Sequence, residues 1–256
     1  MNLDSVGDQL VKAFEAPNVV AVALRINSPG GSPVQSSRIY TAIRELAAEK
    51  KVPVYAFTED VAASGGYYIA CAADKIYADD SSIVGSVGVV GGTFGITGVL
   101  ERWGLERRKY TAGARKQEID PTLPEDPAAV ARLQTVLDDI HAAFKDAVLA
   151  TRGDALTAKG TDPESVFTGE IFTGRQAAAL GLVDGTGASM ASVMKEDFGD
   201  DVKFRNFPKP RTLPQVLAGV PSIATTAWAD ALTHAVESAA DRSALHGPAQ
   251  ALYAPR

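Results

Sequence analysis

Cysteine and histidine are scarce in this chain of 256 residues, which contains one cysteine and three histidines. A single thiol, Cys71, cannot form an internal disulfide, and no Cys/His cluster with the spacing of a structural zinc site lies near it. The sequence also contains no Walker loop and no GxGxxG fingerprint, which argues against a nucleotide-binding enzyme. We therefore expect neither a metal ion nor another cofactor.

Concentrated positive charge is also lacking. The chain has 25 basic and 31 acidic residues, with a net charge of −6 and no Lys/Arg run that could neutralise a phosphate backbone. Nucleic acid is therefore not an expected partner. The 46% of hydrophobic and 22% of charged residues are typical of a globular protein and exclude a wholly disordered, collagen-like or fibrous chain.

Membrane-targeting features are sparse. The chain as given does not start with a basic stretch followed by an apolar one, so we expect no N-terminal signal peptide or anchor and a cytoplasmic location. Attachment to the inner membrane through a segment outside this chain is the alternative. Residues 81–100 are uncharged, but six of them are glycine. Because glycine in a helix interior costs up to about 1 kcal/mol relative to alanine, we predict a strand, tight turns and a short helix there.

The first part of the chain alternates between strand and helix patterns. Residues 19–26 (VVAVALRI), with Arg25 as the one charged residue, and residues 52–57 (VPVYAF) are apolar runs typical of strands that are covered on both faces. The segment between them predicts a helix that Ser36 or Ser37 could cap. Such a βαβ unit has parallel strands and a right-handed crossover, so the predicted fold class is α/β. The apolar residues at helical spacing are Ile39, Ile43, Leu46 and Ala47.

The remaining patterns predict further elements and a domain boundary. Residues 1–207 are expected to form the main domain, and 208–256 a linker followed by a helix with an apolar stripe that includes Trp228. This tail is expected to serve packing or oligomer contacts. Strands are predicted at 75–78, within 83–90, from Leu105 to residue 113, and at 202–207. Helices are predicted from Ser64, at 94–103, from the cap Asp126 to near Gly153, and at 174–180 before Gly181.

Two glycine-rich turns follow the first two predicted strands, where open α/β sheets place their sites. The first contains Gly30 and Gly31, and consecutive glycines let backbone N–H groups point into a cleft, as an oxyanion hole requires. The second contains Ser64 and Gly65, so a hydroxyl and the next N–H could face the same point. The alternatives are a simple tight turn for the first and a helix-capping serine for the second.

A nucleophilic serine needs a base, and the histidines are poorly placed to supply one. His141 falls in the middle of a predicted helix, while His234 and His246 fall in the tail. A lysine can act as base if burial disfavours its ammonium form. Lys116 follows a predicted strand in a loop, but a solvated surface lysine is the commoner interpretation, and the residue pattern does not select it.

Several segments together resemble the signal peptide peptidase A and SohB group of serine peptidases, which share the Clp protease and crotonase fold. The resemblance covers residues 19–207. It implies an α/β fold with a repeated βαβ spiral and a parallel sheet. The segments that carry it are INSPGG, DVAASGGYY, DKIYA, SSIVGSVGVV, YTAGARK and FTGEIFTGRQAAALGLVD.

The resemblance also implies site residues. Ser64 corresponds to the nucleophile and Lys116 to its general base, forming a Ser-Lys dyad. The N–H of Gly65 and one from the Gly30-Gly31 turn correspond to the oxyanion hole, and we favour Gly31 over Gly30. The neighbouring Tyr67 and Tyr68 are expected either to line a substrate pocket or to pack in the core.

The implied partners are hydrophobic peptides, such as cleaved signal peptides, and further copies of the chain. Members of the group form ring- or bowl-shaped oligomers in which the serine of one protomer meets the lysine of the next. Ser64 and Lys116 are therefore expected to lie apart within one chain. Clp proteases instead use a histidine soon after the serine, whereas here none occurs before His141. The alternatives are a crotonase-like enzyme acting on acyl-CoA thioesters and a catalytically silent oligomeric scaffold.

Overall fold

The computed structural model describes residues 2–208 as a mixed α/β structure around one six-stranded sheet. The strands are β1 (Val22–Ser28), β2 (Val54–Ala63), β3 (Lys75–Ala78), β4 (Ile83–Gly85), β5 (Ile171–Thr173) and β6 (Gly185–Thr186). The helices are α1 (Gly7–Phe14), α2 (Pro33–Lys50), α3 (Gly65–Ala70), α4 (Thr97–Arg102), α5 (Pro127–Ala158), α6 (Pro163–Val166), α7 (Gly174–Leu180) and α8 (Met190–Phe198). A 3-10 turn at Leu3–Ser5 precedes α1.

Strands β1 and β2 are parallel neighbours joined through α2, which confirms the predicted βαβ unit. Val22 lies opposite Val54 at the start of the pair. The helix cap was predicted at the wrong residue. Ser32 rather than Ser36 or Ser37 accepts the N–H of Gln35, because α2 begins at Pro33, a residue suited to the first helical turn, where its missing N–H is not needed.

The long strand β2 curls the sheet. Its residues Tyr55 to Phe57 pair with β3, and its last residues, Val61 to Ala63, pair with β4. Strands β1, β2, β3, β4 and β6 pair in parallel, while β5 pairs with β4 in the antiparallel direction. The sheet is therefore mostly parallel and curled, and the predicted α/β class is confirmed.

Both faces of β2 are covered, which explains its continuous apolar run. Val54 and Ala56 face the larger core, which includes the buried side chains of α1, α2 and α3. Tyr55 and Phe57 point to the opposite face, where Val193 and Met194 of α8 cover them. Alternate residues along β2 thus enter two separate cores, as the two-residue period of a strand requires.

Helix α5 begins as predicted and ends later than predicted. The Asp126 carboxylate accepts the N–H of Ala128 at 3.0 Å, and Pro127 is the first helical residue. The helix continues through Gly153 to Ala158, although glycine was expected to end it. Buried residues on both sides of Gly153, Arg152 and Leu156, anchor this part of the helix and offset the cost of about 1 kcal/mol for an internal glycine.

Two predicted strands are absent from the described part of the chain. Residues 105–113 form an exposed, irregular segment that pairs with no strand among residues 2–208, and the same holds for 202–207. An alternating pattern forms a strand only where a neighbouring strand shares its hydrogen bonds, and neither segment has such a neighbour among residues 2–208. Helix α4 lies within the predicted range 94–103, and β3, β4 and α7 also form where expected.

The uncharged segment 81–100 contains β4, irregular backbone and the start of α4, so the predicted strand and short helix form there. Within residues 2–208, no helix combines the length and hydrophobicity needed to cross a bilayer. The predicted linker and the helix around Trp228 lie outside the described residues, apart from Pro208. The division of the chain at residue 207 therefore stays a prediction.

Candidate active site

Ser64 sits at the junction where β2 turns directly into α3. Its backbone angles are φ 50° and ψ −124°, which are uncommon for a residue with a side chain and mark local strain. The Ser64 N–H donates to the carbonyl of Gly85 in β4 at 2.8 Å, and its own carbonyl accepts the N–H of Tyr68 at 2.9 Å. These bonds hold the strained turn in place.

The Ser64 hydroxyl does not cap the helix that it precedes. No hydrogen bond joins its side chain to the first turn of α3. The capping interpretation of this serine is therefore wrong, since the backbone twist at Ser64 points the side chain away from the helix N–H groups. The hydroxyl instead lies at the wall of an open cavity.

The two glycine turns predicted separately are in contact. A Cβ atom built on Gly30 would lie 2.9 Å from the Cβ of Ser64 and 3.1 Å from its Oγ, and Gly30 has a φ of 117°. A Cβ on Gly66 would overlap the Ser28 carbonyl oxygen. Side chains are excluded at both positions, so glycine lets the first turn pack directly against the serine.

Two backbone N–H groups beside Ser64 have no acceptor within residues 2–208. They belong to Gly31 and Gly65, whereas the Gly30 N–H donates to the Ser28 hydroxyl at 3.2 Å. A Cβ on Gly31 would meet no atom within 4 Å, so this glycine faces open space. Unpaired N–H groups near a nucleophile can bind the negative oxygen of a tetrahedral intermediate.

A cavity of about 310 Å³ opens beside Ser64 and is lined largely by apolar side chains. Tyr68 stacks on Phe144 of α5, with ring centroids 4.9 Å apart, and meets Tyr40 edge-on at 5.5 Å. These ring contacts hold the cavity wall between α3 and α5. The apolar lining residues are Pro33, Tyr68, Val89, Val90, Ile140 and Phe144. The others are Gly31, Ser36, Ser64, Gly65, Ser86, Gly88, Thr168 and Gly169.

The two candidate pocket tyrosines occupy different environments. Tyr68 is half-buried and lines the cavity. Tyr67 is fully buried, and its hydroxyl donates to the Leu182 carbonyl at 2.6 Å. Burial raises the pKa of Tyr67 well above its usual range. Of the two roles expected for Tyr67, the structure shows packing in the core, because successive positions on a short helix point in different directions.

Lys116 does not meet Ser64 within this chain. It lies in an exposed turn, where its N–H donates to the Gly113 carbonyl, and it does not line the cavity that contains Ser64. Its ammonium group has no hydrogen-bond or ion-pair partner among residues 2–208. Within the described part of one chain, Lys116 is therefore solvent-exposed and apart from the serine.

Among residues 2–208, the other candidate reactive groups are occupied or buried. Burial raises the pKa of the Cys71 thiol to about 12, so the reactive thiolate is not populated near neutral pH. The Nε2 atom of His141 lies 3.1 Å from the Val87 carbonyl oxygen, so this ring nitrogen is engaged by backbone. Among residues 2–208, no group of three or more His, Cys, Asp or Glu side chains is arranged to hold a metal ion.

Sequence reasoning missed several residues of the cavity wall. Ser36 was assigned only as a possible helix cap, yet it is buried beside Gly65 and lines the cavity. A signal for it was present, since Ser36 shares the buried face of α2 with Ile39 and Ile43, and a polar residue on an apolar helix face needs a reason. The contribution of Phe144 in α5 depends on long-range packing and has no comparable local signal.

A serine on a strained turn between strand and helix, with unpaired glycine N–H groups beside it, is the arrangement of a serine hydrolase. Comparison with known proteins narrows this class. Residues 46–202 match the sequence profile of Peptidase family S49, a span that contains both Ser64 and Lys116. The chain belongs to peptidase family S49, and the resemblance to the signal peptide peptidase A and SohB group is confirmed.

Individual relatives carry different names. A Synechocystis protein assigned as a protease is 32% identical over 217 residues, which cover 82% of this chain and 75% of that protein. The chloroplastic serine protease SPPA of Arabidopsis thaliana is 29% identical over 232 residues, which cover 85% of this chain and 33% of that protein. A Brucella melitensis protein named Na(+)/H(+) antiporter NhaA is 48% identical over 213 residues, which cover 83% of this chain and 28% of that protein. The chain thus spans only about a quarter of the antiporter-named protein.

Proposed function

We propose that this chain is a serine endopeptidase that hydrolyses hydrophobic peptides, with Ser64 as nucleophile. The observation that carries the proposal is the strained turn at Ser64, which leaves its hydroxyl uncapped at the wall of a cavity. A strained backbone conformation persists only where surrounding contacts hold it in place, and such conformations are concentrated at functional sites. Membership of peptidase family S49 supports peptide-bond hydrolysis as the reaction.

In this proposal, the N–H groups of Gly31 and Gly65 form the oxyanion hole. Neither donates to an acceptor within residues 2–208, and Gly31 faces open space. The Gly30 N–H is already engaged by Ser28, which favours Gly31 as the donor from the first turn. Gly30 has no side chain and therefore allows the first turn to pack against Ser64. Removal of one such donor typically lowers kcat by about a hundredfold or more.

The proposed general base is Lys116 of a neighbouring protomer. The exposed position of Lys116 outside the Ser64 cavity supports an origin in a second copy. Residues 101–117 contain six basic and two acidic residues, in a chain that is acidic as a whole. The same segment exposes Trp103 and Tyr110, and exposed apolar side chains of this size commonly mark a contact surface. Docking of this segment on another copy would remove water from the lysine and favour its neutral form.

The proposed reaction is acyl transfer to the serine. Neutral Lys116 accepts the proton of the Ser64 hydroxyl as its oxygen attacks the peptide carbonyl, and the glycine N–H groups stabilise the resulting oxyanion. The lysine then returns the proton to the departing amine when the C–N bond breaks. In the second step, Lys116 accepts a proton from a water molecule that attacks the acyl-enzyme carbonyl, and it returns this proton to the Ser64 oxygen as the ester C–O bond breaks.

The proposed substrates are hydrophobic peptides such as cleaved signal peptides. The apolar cavity wall formed by Tyr68, Val89, Ile140 and Phe144 suits an aliphatic or aromatic side chain next to the scissile bond. A half-buried Tyr68 in that wall is a proposed substrate contact. Association with a membrane surface would bring the site to such peptides, and it is part of the proposal.

The direct test is peptide cleavage followed by mass spectrometry. Purified protein is incubated with a pool of hydrophobic peptides, and wild type is compared with Ser64→Ala and Lys116→Ala. We expect cleavage by wild type, loss of cleavage in both variants, and covalent labelling of Ser64 by a fluorophosphonate in wild type. Ser81→Ala, which removes an exposed hydroxyl outside the cavity, is the matched control and should cleave normally.

Two other outcomes would replace the proposal. Turnover of acyl-CoA thioesters without peptide cleavage would favour a crotonase-like enzyme that uses the same oxyanion hole. Absence of both activities in an assembled oligomer, with partner capture unaffected by Ser64→Ala, would favour a catalytically silent scaffold.

A further inference from the structure

Ser36 is a buried hydroxyl in the wall of the Ser64 cavity. Only 3% of the residue is exposed, and it shares the buried face of α2 with Ile39 and Ile43. Its hydroxyl donates to the Ser32 carbonyl, one helical turn earlier, at 3.1 Å. A serine that bonds back to the preceding turn slightly destabilises a helix, so the packing of α2 alone gives no reason to prefer serine to alanine here.

The Ser36 hydroxyl fills the space that a side chain on Gly65 would occupy. A Cβ atom built on Gly65 would overlap Ser36 Oγ and would lie 3.3 Å from the Gly31 nitrogen. On the side where a side chain would project, Gly65 is therefore in close contact with both Ser36 and Gly31. The Ser32 carbonyl that Ser36 contacts belongs to the residue directly after Gly31, so Ser36 links Gly65 to the end of the first turn.

Gly65 needs such an external restraint. Glycine has no side chain to limit its backbone rotation, and the N–H that it contributes to the site has no acceptor within residues 2–208 in the resting structure. An oxyanion hole is effective only if its donors are already oriented before the charge develops. Without Ser36 Oγ, a gap opens beside Gly65 and the peptide unit that carries its N–H gains freedom to rotate.

We propose that Ser36 is a positioning residue that holds the Gly65 N–H in register with the Gly31 N–H. The inference rests on the proposed peptidase function, because it assigns a role in stabilising the tetrahedral intermediate. Ser36 acts through the backbone of Gly65 and not on the substrate. Its loss therefore affects the transition state more than the binding of uncleaved peptide.

The test compares Ser36→Ala and Ser36→Cys with wild type. Ser37→Ala is the matched control, because Ser37 is the adjacent residue of α2 and does not line the cavity. For Ser36→Ala we expect kcat to fall on the order of tenfold to a hundredfold, with KM changed by less than about twofold. Cysteine refills the space beside Gly65, so Ser36→Cys should recover most of the lost kcat. Ser37→Ala should match wild type.

A second measurement separates positioning from general stability. A peptide boronate forms a tetrahedral adduct with the serine, whereas an uncleaved peptide bound to a Ser64→Ala background does not. Ser36→Ala should weaken boronate inhibition in parallel with the loss of kcat. Added to Ser64→Ala, the same substitution should leave the affinity for uncleaved peptide unchanged. Fluorophosphonate titration of the active-site serine corrects each rate for the folded, reactive fraction.

Three results would overturn the inference. An unchanged kcat in Ser36→Ala, or a loss that disappears after correction for the reactive fraction, would reduce Ser36 to a structural residue. Equal weakening of boronate and uncleaved peptide would assign it to substrate binding. In both cases an active wild type leaves the proposed peptidase function standing. If wild-type Ser64 neither cleaves peptides nor reacts with the fluorophosphonate, the proposed function and this inference fail together.

Discussion

Gly30 and Ser64 are packed so closely that the first glycine turn has no room for a side chain beside the serine. We predict that Gly30→Ala lowers peptidase activity on the order of a hundredfold, because the added methyl group would meet Ser64 Cβ at 2.9 Å and the Gly65 nitrogen at 3.0 Å. Because Gly30 has a positive φ, alanine at this position would also strain the backbone. Steady-state peptide cleavage measures the effect.

Gly92→Ala is the control for this substitution. A Cβ on Gly92 would meet no atom within 4 Å, and its φ is not positive, so alanine is accommodated there. Activity of Gly92→Ala should stay close to wild type. Similar activity in both alanine variants would contradict the view that Gly30 sets the geometry of the site.

The proposed sharing of the site between protomers predicts complementation between two inactive variants. Ser64→Ala retains Lys116, and Lys116→Ala retains Ser64, so mixed oligomers contain some sites with both groups intact. We expect each variant to be inactive alone and the mixture to recover activity after subunit exchange, measured by peptide cleavage over time. Lys116→Arg should be as inactive as Lys116→Ala, since guanidinium does not deprotonate at working pH.

A mixture that stays inactive after demonstrated subunit exchange would place serine and base in one chain or assign the base elsewhere. The double variant Ser64→Ala with Lys116→Ala, mixed with either single variant, is the negative control. Substantial activity of Lys116→Arg would remove Lys116 from the mechanism.

Two adjacent tyrosines should differ in their contribution to stability. The Tyr67 hydroxyl donates to the Leu182 carbonyl in the fully buried core, so Tyr67→Phe leaves that carbonyl without its partner. We expect a loss of about 1–3 kcal/mol in the free energy of unfolding, measured by urea denaturation. Tyr68→Phe is the matched control and should change stability little, since the Tyr68 hydroxyl has no partner among residues 2–208. Equal losses in the two variants would contradict this assignment.

Acid stability should depend on Asp197. The Lys75 ammonium and the Tyr55 hydroxyl, both hydrogen-bonded to its carboxylate, lower the pKa of Asp197 below its usual value of 3.8. A carboxyl whose pKa is lower in the folded state stabilises the fold above its unfolded pKa, and this contribution disappears as pH falls through the folded pKa. Asp197→Asn should therefore lower Tm near neutral pH and approach wild type below about pH 4.

Asp200→Asn is the control for the pH series, because Asp200 is exposed and has no side-chain partner within residues 2–208. Its Tm should follow wild type at every pH. A difference between Asp197→Asn and wild type that is constant from neutral to acid pH would show that the ionised carboxylate is not the source of the stability. Thermal unfolding followed by circular dichroism provides the measurement.

Features with strong local signals were predicted correctly. Asp126 caps α5 because its carboxylate reaches an N–H two residues ahead, and Gly181 ends α7 because it adopts a φ of 90°, which favours glycine. The two glycine turns of the site were also located from sequence, as both contain adjacent glycines directly after buried strands. Each of these features depends on a few consecutive residues.

Features that depend on distant partners were predicted poorly. The alternating pattern from Leu105 forms no strand because no neighbour in the described part of the chain pairs with it. Gly153 does not end α5, since buried contacts around Arg152 outweigh the helix propensity of glycine. Ser36 was assigned to a cap, although its position beside Gly65 depends on how α2 packs against α3.

The sequence was sufficient to predict the α/β class, the family and the candidate serine, because strand patterns, glycine turns and short motifs each depend on residues close together in the chain. Tertiary structure decided which N–H groups lack acceptors, which tyrosine is buried and which side chains enclose the cavity. Those properties arise when segments far apart in sequence pack together and exclude water. The exposed position of Lys116 was also decided by the tertiary structure, since burial depends on how the chain packs and not on the residue type.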